Sequence, residues 1–325
     1  MICIASPSAD PRFNLAAEEY LLKKTGHEFF ILYRNNPSVI IGKHQNALAE
    51  LNLAYVNGQD IPVIRRISGG GTVYHDPGNL NYCFIRKGVK GKMVDFLKHT
   101  RPLMDFLATL GLQAEFDGRN SLLLDGRKIS GNAEHVYQDR VLHHGTILFS
   151  AELDRLSEAL RVRAGLYRDK AIKSLRSLVA NLGDYLGGRM DIDTFAGAFM
   201  SYIKGLYAAE SADYEFTPGD IEEIDRLIDE KYSSWEWNFG YSPKYSFAKE
   251  TVISGIPVSV ELEVERGIIK EIRVSGEGLE EGFTVWLRNT LNGLQHNPAV
   301  LKETLTARGV VPPYFDTDAL LSGLF

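Results

Sequence analysis

The stretch from 65 to 82 constrains this chain more than any other part of the sequence. It reads RRISGGGTVYHDPGNLNY, so two arginines lead into three consecutive glycines and then into a β-prone run. A loop rich in glycine can turn its backbone amides toward an anion, and Arg65 or Arg66 could share that anion. A tight turn between strands, with the arginines in solvent, would explain the same glycines. The polar residues that follow at once favour a binding loop. They are His75, Asp76, Asn79 and Asn81.

The glycine loop lies between predicted strands and not before a helix. Residues 62–66 predict a strand that enters the loop, and residues 72–75 and 80–86 predict strands that leave it. A phosphate loop of the Walker type and the dinucleotide-binding fingerprint both need a glycine motif that opens a helix. Neither motif is present in the sequence, so the loop belongs to neither class.

Length and composition predict a globular protein of about two domains. The chain has 325 residues, of which 44% are hydrophobic and 24% charged. A formal net charge of -6 argues against general binding to nucleic acid or to anionic membranes. No apolar run reaches the ~18 residues of a membrane span, and the first residues lack the pattern of a signal peptide. Because Cys3 and Cys83 form no disulfide framework, we expect a cytoplasmic protein.

A second stretch, residues 118–133, predicts a hairpin with a lysine near its turn. The pair Asp125 and Gly126 is a hairpin turn signal, which places Lys128 at the start of the returning strand. A lysine in that place is usually solvated. The alternative is that Lys128 points into a pocket at the glycine loop, where its ammonium could bridge two anionic groups. The residues by themselves leave both interpretations open.

A third cluster is His143 and His144, followed by Gly-Thr. Paired histidines suggest a metal site, but no carboxylate or cysteine stands at ligand spacing, and neighbouring strand positions face opposite ways. We therefore expect one histidine to face the pocket and the other to be structural. Cys83 lies in an apolar run and is expected to be a buried hydrophobic residue and not a nucleophile.

The remaining sequence predicts flanking helices and a small C-terminal unit. Helices are predicted at 14–24 with Asn14 as cap, at 93–110, at 192–207, from Thr217 onward, at 282–294 and at 298–308. The predicted face of the second helix comprises Val94, Leu97, Arg101, Met104 and Leu107 or Ala108. Residues 29–33 and 38–42 predict a hairpin-like pair of strands. Three further strands, at 245–253, 257–264 and 268–274, place a domain boundary near residue 243.

The three clusters, in their order and approximate spacing, resemble the lipoate-protein ligase A family of the biotin/lipoate protein ligase superfamily. Residues 174–182 and the tryptophan-rich residues 235–240 resemble further segments of these ligases. The resemblance implies an α+β fold. It implies a large mixed-sheet catalytic domain with flanking helices, residues 1–243, which binds lipoate and ATP. A small α+β accessory domain, residues 244–325, would follow; by resemblance it swings between reaction steps, although a fixed packing module fits the same residues.

The resemblance implies an ATP-dependent, adenylate-forming ligase. Lipoate and ATP, with Mg²⁺ accompanying the ATP, would give lipoyl-AMP and pyrophosphate. The lipoyl group would then pass to a specific lysine of an acceptor protein. The implied acceptors are the lipoyl domains of 2-oxoacid dehydrogenase complexes and the H protein of glycine cleavage, with no nucleic acid and no membrane as partner.

The resemblance also assigns roles to residues. Lys128 is the implied catalytic residue, touching both the nucleotide and the lipoyl carboxyl group. The implied nucleotide-binding residues are Arg66, Gly71, Thr72, Val73, Tyr74, Asn79, Asn120 and Lys128. The implied residues for the acyl substrate are Ser68, Gly69, Gly70, His75, Lys128 and His144. No resident metal site is expected.

One departure from the family keeps alternatives open. Ser121 stands where the family commonly has aspartate after Gly-Arg-Asn, and a neutral side chain would hold Mg²⁺ or orient the lysine less well. A lipoyltransferase that uses preformed lipoyl-AMP is therefore one alternative. An octanoyltransferase acting through a thioester needs a cysteine in the pocket, and neither cysteine lies in such a motif. A non-catalytic protein that binds lipoyl-AMP or an acceptor is the alternative from another class.

Overall fold

A computed structural model describes residues 1–175, 177–208, 211–307 and 316–325. The chain divides into two compact units, each assembled from three segments. Unit 1 comprises Met1–Lys43, Asp60–Ala159 and Ser174–Ser234, and unit 2 comprises His44–Gln59, Leu160–Lys173 and Trp235–Phe325. His44–Gln59 and Leu160–Lys173 thus belong to the same unit as the C-terminal residues. The functional boundary expected near residue 243 stays a prediction.

Strands and helices alternate irregularly along the described residues. The strands are β1 (Ile2–Ala5), β2 (Phe29–Arg34), β3 (Ser38–Ile41), β4 (Val63–Arg65), β5 (Val73–His75), β6 (Asn79–Lys87), β7 (Glu115–Phe116), β8 (Ser121–Leu124), β9 (Arg127–Tyr137), β10 (Arg140–Leu148), β11 (Tyr167–Asp169), β12 (Ala212–Asp213), β13 (Tyr245–Ile253), β14 (Ile256–Glu265) and β15 (Ile268–Ser275). The α-helices are α1 (Pro11–Lys24), α2 (Leu53–Gly58), α3 (Phe96–Thr109), α4 (Leu153–Ala159), α5 (Leu182–Leu186), α6 (Ile192–Leu206), α7 (Pro218–Leu227), α8 (Glu281–Leu291), α9 (Pro298–Ala307) and α10 (Thr317–Gly323). Shorter turns of 3-10 helix (Ala47–Ala49) and π-helix (Ile228–Tyr232 and Glu236–Gly240) complete the set.

The larger sheet of unit 1 has eight strands in the order β12-β1-β2-β6-β10-β9-β8-β7. Strand β1 pairs in parallel with β2 and β12, whereas the other neighbours pair antiparallel, so the sheet is mixed. Buried side chains of the sheet, α3 and α6 form one apolar cluster. Its aromatic members include Phe30, Phe84, Phe106, Phe195 and Phe199. Each buried ring contributes roughly 1.5–3 kcal/mol relative to an exposed one. The mixed sheet with helices packed on it, and a second, smaller sheet unit, confirm the predicted α+β class.

A second, three-stranded sheet of unit 1 carries the glycine loop. Its order is β4-β3-β5, with β3 parallel to β4 and antiparallel to β5. The glycine loop connects the two outer strands, as predicted. The predicted pairing of residues 29–33 with 38–42 is wrong, because β2 lies in the eight-stranded sheet and β3 is the centre of the small one. Both runs are buried throughout, so hydrophobicity could not tell which neighbour each would take.

Two helices of unit 1 differ from their predictions. Helix α1 begins at Pro11 and is capped by Asp10, so the prediction of Asn14 as the cap is wrong. In α3 the predicted apolar face is only partly right: Leu107 is buried, whereas Leu97 is 46% exposed and Val94, which precedes the helix, is 51% exposed. The buried face also includes Leu103 and Phe106, which were not predicted to lie on it. A sequence rich in apolar residues fits more than one helical face, and only packing selects one.

Unit 2 contains a four-stranded sheet in the order β11-β13-β14-β15. Two-residue turns connect β13 to β14 and β14 to β15, and all four turn residues have positive φ, the geometry of type I′ hairpins. They are Ser254, Gly255, Arg266 and Gly267. Helices α8, α9 and α10 share the buried apolar cluster of this sheet. Helix α10 and the edge strand β11 were not predicted. Helix α9 ends at Ala307, and Arg308, the predicted end, lies outside the described residues.

No helix in the described part of the chain combines the length and the apolar character that crossing a membrane requires.

Candidate active site

The glycine loop of unit 1 is held from inside by Arg66. This side chain is buried, and its Nη2 donates to the carbonyls of Gly69 at 2.5 Å and Gly71 at 2.8 Å. Its Nη1 donates to the carbonyl of Ile40 at 3.2 Å. Gly70 has φ +87°, a conformation that a side chain would strain. Burial lowers the pKa of Arg66 to about 10, so the guanidinium stays charged at neutral pH. Arg66 therefore shapes the loop through its carbonyls, and its contact with a ligand stays a prediction.

A chain of buried hydrogen bonds runs from the glycine loop to helix α1. Arg66 Nε donates to Ser68 Oγ at 2.9 Å, and Ser68 Oγ lies 2.6 Å from His144 Nε2. His144 Nδ1 lies 2.7 Å from Oε2 of Glu18, whose Oε1 accepts from the Tyr33 hydroxyl at 2.9 Å. Because a carboxylate only accepts, His144 Nδ1 carries a proton and donates to Glu18. These four side chains, Arg66, Ser68, His144 and Glu18, form a relay of hydrogen bonds that connects the loop to one buried carboxylate.

His75, on the strand that leaves the glycine loop, belongs to a second chain of buried bonds. Its Nδ1 lies 2.9 Å from Asn35 Nδ2, and Asn35 Oδ1 accepts from Asn14 Nδ2 at 2.8 Å. Burial, with the charges of Arg66 and His144, lowers the pKa of His75 to about 3. His75 is therefore a neutral imidazole at pH 7. Its Nε2 is enclosed and makes no hydrogen bond to the described residues.

Lys128 lies at the start of β9, as the turn signal predicted. Asp125 and Gly126 have φ of 49° and 73°, and β8 and β9 pair on either side of them. The Lys128 ammonium lies directly above Gly131, where an added Cβ would come within 2.9 Å of Nζ. Among the described residues this ammonium forms no hydrogen bond and no ion pair. Burial lowers its pKa, and the charge of Arg66 lowers it further, so the lysine is within electrostatic reach of the glycine-loop arginine.

The segment from Ser174 to Ala180 runs beside both the glycine loop and the lysine. Ser174 Oγ accepts from the backbone N–H of Thr72 at 2.9 Å. The backbone of Lys128 donates to the Leu178 carbonyl at 2.8 Å and accepts from Ala180 at 3.0 Å. Arg176, within this segment, lies outside the described residues. Ser174 thus contacts the glycine loop and residues 178–180 contact the backbone of Lys128; one site shared by the loop and the lysine stays a prediction.

A carboxylate that the sequence analysis did not single out stands near Lys128. Asp117 Oδ1 accepts from the backbone N–H groups of Arg119, Asn120 and Ser121 at 2.8–2.9 Å. Burial raises the pKa of Asp117, but these hydrogen bonds outweigh it and the net pKa is lowered. Asp117 in turn raises the pKa of Lys128 by charge attraction. An ionised carboxylate is thus present although position 121 is serine.

The remaining predicted nucleotide residues lie on or directly before strands β5, β6 and β8. Thr72 and Tyr74 are buried and Val73 is half-buried, with Tyr74 opposite Val39 in the small sheet. Asn79 is fully buried and donates to Asn81 Oδ1 at 3.0 Å, which leaves its own Oδ1 without a partner in the described residues. Asn120 donates to the Asn132 carbonyl at 3.0 Å and braces β8 against β9. These positions share a region, and their contacts with a nucleotide stay predictions.

His143 faces away from the relay and forms a separate cluster. Its Nδ1 and that of His99 both lie 2.9 Å from Glu134 Oε1, and Glu134 Oε2 accepts from the backbone of Asp95. Burial alone would raise the pKa of Glu134, but the two histidine hydrogen bonds lower it to about 2. The three ligand atoms lie close enough together to hold a metal ion. Two N–H donors on one ionised carboxylate account for the same geometry without an ion.

Comparison with known families decides the identity. The model of the lipoyl protein ligase A/B catalytic domain matches residues 10–204, and that of the bacterial lipoate protein ligase C-terminus matches residues 242–319. The chain belongs to the lipoate-protein ligase family. Lipoate-protein ligase 1 of Staphylococcus aureus is 38% identical over 311 residues, which are 95% of this chain and 94% of that relative. The family and enzyme class expected from the motifs are confirmed.

Solved structures of lipoate-protein ligases agree in fold. A crystal structure of lipoate-protein ligase A bound with ATP has a TM-score of 0.62 at 28% identity and covers 74% of this chain and 98% of its own. A bipartite lipoate protein ligase from Thermoplasma acidophilum, studied with its E2 lipoyl domain, has a TM-score of 0.62 at 27% identity and covers 74% of this chain and 95% of its own.

Two residues of this lipoate-protein ligase were missed by sequence reasoning. Glu18 ends the relay that begins at Arg66, and Asp117 supplies the carboxylate near Lys128. A signal for Glu18 was available, because a glutamate between Leu15 and Leu22 lies on the apolar face of a helix. Asp117 directly precedes the Gly-Arg-Asn turn, where a capping aspartate is common. Neither signal reveals which side chain the carboxylate meets.

Proposed function

We propose that this lipoate-protein ligase uses ATP to convert lipoate to lipoyl-AMP and then lipoylates a lysine of an acceptor protein. Its relatives carry the name lipoate-protein ligase, and a structural neighbour at 28% identity was solved with ATP bound. The single observation that carries the proposal is the Lys128 ammonium, which has no ionic or hydrogen-bonding partner in the described residues and is close enough to Arg66 for their charges to interact.

In the first step the lipoate carboxylate attacks the α-phosphorus of ATP, and pyrophosphate leaves. Two anions must approach each other, and negative charge grows on the α-phosphate oxygens. The Lys128 ammonium lies between these groups and stabilises the transition state because it is already in place and partly shielded from water. Its lowered pKa reflects an environment that favours the loss of charge unless an anion is bound.

The glycine loop binds the adenylate beside this lysine. Arg66, Gly71, Thr72, Val73, Tyr74, Asn79 and Asn120 take the nucleotide, and Ser68, Gly69, Gly70, His75 and His144 shape the acyl end. Arg66 holds the loop carbonyls inward, so the loop amides are available to an anion. The relay through Ser68 and His144 keeps the loop in this conformation.

In the second step the amine of an acceptor lysine attacks the acyl carbonyl of lipoyl-AMP, and AMP leaves with the C–O bond electrons. The Lys128 ammonium neutralises the departing phosphate and the carbonyl oxygen. We propose lipoyl domains of 2-oxoacid dehydrogenase complexes and the glycine cleavage H protein as acceptors. A relative studied with its E2 lipoyl domain supports the first of these.

Mg²⁺ enters with ATP as part of the substrate. Oxygen donors of the kind that Mg²⁺ prefers are present, namely the Asp117 carboxylate and the unpartnered Oδ1 of Asn79. Mg²⁺ would offset phosphate charge there. The presence of Asp117 favours the complete ligase over a transferase restricted to preformed lipoyl-AMP, because the acidic group that Ser121 lacks stands four residues earlier.

The protein is further proposed to act in the cytoplasm, where thiols stay reduced; both cysteines are free and buried. Residues 1–243 are proposed to carry the chemistry and residues 244–325 to be accessory. Burial raises the pKa of Cys83 strongly, so a thioester mechanism at that residue is disfavoured.

The test is an assay of the purified protein with ATP, Mg²⁺, lipoate and an unmodified lipoyl domain, read by the mass of the acceptor. A parallel reaction contains preformed lipoyl-AMP in place of lipoate and ATP. Gain of one lipoyl group in both reactions supports the complete ligase. Gain with the adenylate alone reduces the function to a transferase, and gain in neither reaction contradicts both.

A further inference from the structure

The direction of every hydrogen bond around His75 follows from the groups that hold it. Asn14 donates through Nδ2 to the Ser8 carbonyl at 2.9 Å and accepts through Oδ1 from Ser6 Oγ at 2.6 Å, which fixes the orientation of its amide. The same Nδ2 donates to Asn35 Oδ1. Asn35 therefore turns Nδ2 toward His75 Nδ1 and donates to it. His75 Nδ1 is an acceptor, so the proton of the neutral ring is on Nε2.

This Nε2–H is a buried donor left without a partner. His75 is 3% exposed, and Nε2 makes no hydrogen bond to any described residue. The lowered pKa of the ring excludes the imidazolium form at neutral pH, so the donor is uncharged. An unpaired buried donor is unfavourable, and where a protein keeps one, a ligand or water is expected to pair with it.

The other polar side chains around the acyl end are already bonded. His144 is bonded through both ring nitrogens, and Ser68 Oγ is bonded to both Arg66 and His144. Arg66 donates from all three guanidinium nitrogens to Ser68 or to backbone carbonyls. Among these four side chains, His75 alone keeps an imidazole N–H with no acceptor.

The acceptor for this donor follows from the chemistry of the acyl substrate. Beyond its carboxyl group, which reacts beside Lys128, lipoate carries only two atoms with lone pairs, the sulfurs of its five-membered ring. Sulfur accepts weakly and suits a neutral N–H better than it suits a strongly hydrated cation. An acyl chain made of carbon and hydrogen alone would leave the N–H unpaired against apolar surface.

We propose that His75 Nε2–H donates to a ring sulfur of lipoate and makes the site select sulfur-containing acyl chains over all-carbon ones. This inference rests on the proposed ligase function. Because His75 Nε2 is enclosed, the dithiolane ring of lipoate reaches this nitrogen only after the surrounding side chains move apart. Discrimination arises because a ring sulfur gives this donor an acceptor, whereas with an all-carbon chain the donor stays unpaired, as it is in the free protein.

The experiment compares three acids that share a carboxyl group and differ at the far end of the chain. They are lipoate, octanoate and 5-cyclopentylpentanoate, the last of which replaces the disulfide ring with a carbon ring. Pyrophosphate release gives kcat and KM for each acid with the parent protein, His75→Phe and His75→Gln. Phenylalanine keeps a ring without a donor, whereas glutamine keeps an N–H near the position of Nε2.

We expect kcat/KM for lipoate to fall about threefold to tenfold in His75→Phe, mainly through KM. The two carbon analogues should be unchanged, because neither makes a hydrogen bond to His75 that the substitution could remove. His75→Gln should retain most of the preference for lipoate. An equal loss for all three acids would overturn the proposal, as would a parent protein with no preference for lipoate over the cyclopentyl acid.

A second measurement covers the case in which His75→Phe does not fold, as judged by circular dichroism. In ¹⁵N-labelled parent protein, the His75 Nε2–H resonance should shift and become protected from exchange when lipoate is added, and not when the cyclopentyl acid is added. Identical responses to the two acids contradict the proposal. A parent protein that binds lipoate with this response but never forms an adenylate would contradict the proposed function and leave the donor contact standing.

Discussion

His143 and His144 are neighbours on one strand, both are buried, and each meets a glutamate with a buried side chain. The two clusters nevertheless differ in what they connect. His143 and His99 converge on Glu134, which lies directly opposite His143 on the paired strand. His144 meets Glu18 of a helix and passes the connection on to Ser68 in the glycine loop.

Adjacent residues of β10 project from opposite faces of the strand. We therefore expect the cluster on one face to affect mainly stability and the cluster on the other face to affect mainly activity. The core cluster (His99, Glu134 and His143) joins helix α3 to the sheet and ends on the backbone of Asp95. The relay cluster (Glu18, His144, Ser68 and Arg66) ends on the loop that lies beside Lys128. Equivalent changes in the two glutamates should therefore affect different measurements.

The largest effect is expected for Lys128→Ala, which removes the reaction centre that the relay serves. Adenylate formation should slow on the order of 100- to 1000-fold. Stability should change little, because the ammonium has no hydrogen bond or ion pair to lose among the described residues. Pyrophosphate release and urea unfolding test the two halves. Lys98→Ala, at an exposed lysine of α3, is the control, and comparable loss in both variants would refute the role of Lys128.

Glu18→Gln should impair the reaction because it removes the charge that orients His144 and faces Arg66. A loop displaced by a fraction of an ångström is expected to lower kcat/KM about 10- to 100-fold. Activity is normalised to the folded fraction measured by circular dichroism. If the loss disappears after this normalisation, the relay is merely structural.

Glu134→Gln is the matched change in the core cluster. Replacing the ionised carboxylate weakens two histidine hydrogen bonds and should lower the free energy of unfolding by about 1–3 kcal/mol. Activity per folded molecule should stay within about twofold, because this cluster makes no side-chain hydrogen bond to a predicted site residue in the described part of the chain. Glu115→Gln, at an exposed position of β7, should change stability by less than about 0.5 kcal/mol. A Glu134→Gln variant with full stability and lost activity would reverse the comparison.

Acid should weaken the core cluster in two stages. Burial lowers the pKa of His143 from 6.5 to about 4, so the unfolded chain takes up a proton between these values while the folded chain does not. Stability therefore falls as pH drops from 6.5 to 4, by up to about 3 kcal/mol. Glu134, with its pKa lowered from 4.5 to about 2, adds a further loss below pH 4.5. Urea midpoints at pH 7, 5.5 and 4.5 test this, and a flat profile contradicts it.

The smallest effect is expected for Asp117→Asn. The amide keeps its oxygen for the backbone N–H groups but loses the charge that supports the Lys128 ammonium. The pKa of Lys128 should fall, and the alkaline limb of the rate profile should move to lower pH. At neutral pH the rate should fall about fivefold or less, because Asp117 is exposed and acts on Lys128 only through its charge, without an ion pair. A shift of the limb to higher pH would be inconsistent with this charge interaction.

Features encoded by short stretches were predicted well. The turn at Asp125 and Gly126 places Lys128 correctly, since a two-residue turn with positive φ fixes the strands on either side. The strands β13, β14 and β15 and the helix start at Thr217 were predicted for the same local reason. The site motifs by themselves indicate the correct family.

Features that depend on distant partners were not predicted. The pairing of β2 and β3 was wrong because two buried apolar runs look alike along the sequence. Glu18 and Asp117 were missed because a carboxylate gains a function only through what it faces, and Glu18 meets His144 across 126 residues of chain.

The sequence by itself determined the glycine loop, the lysine hairpin and the ligase family, because turns, strand periodicity and motif spacing are properties of neighbouring residues. Only the tertiary structure decided which histidine reaches the loop, which carboxylates serve the site and which ring nitrogen of His75 holds the proton. Those outcomes depend on burial and on the direction of hydrogen bonds between segments far apart in the chain. Neither can be read from the order of neighbouring residues.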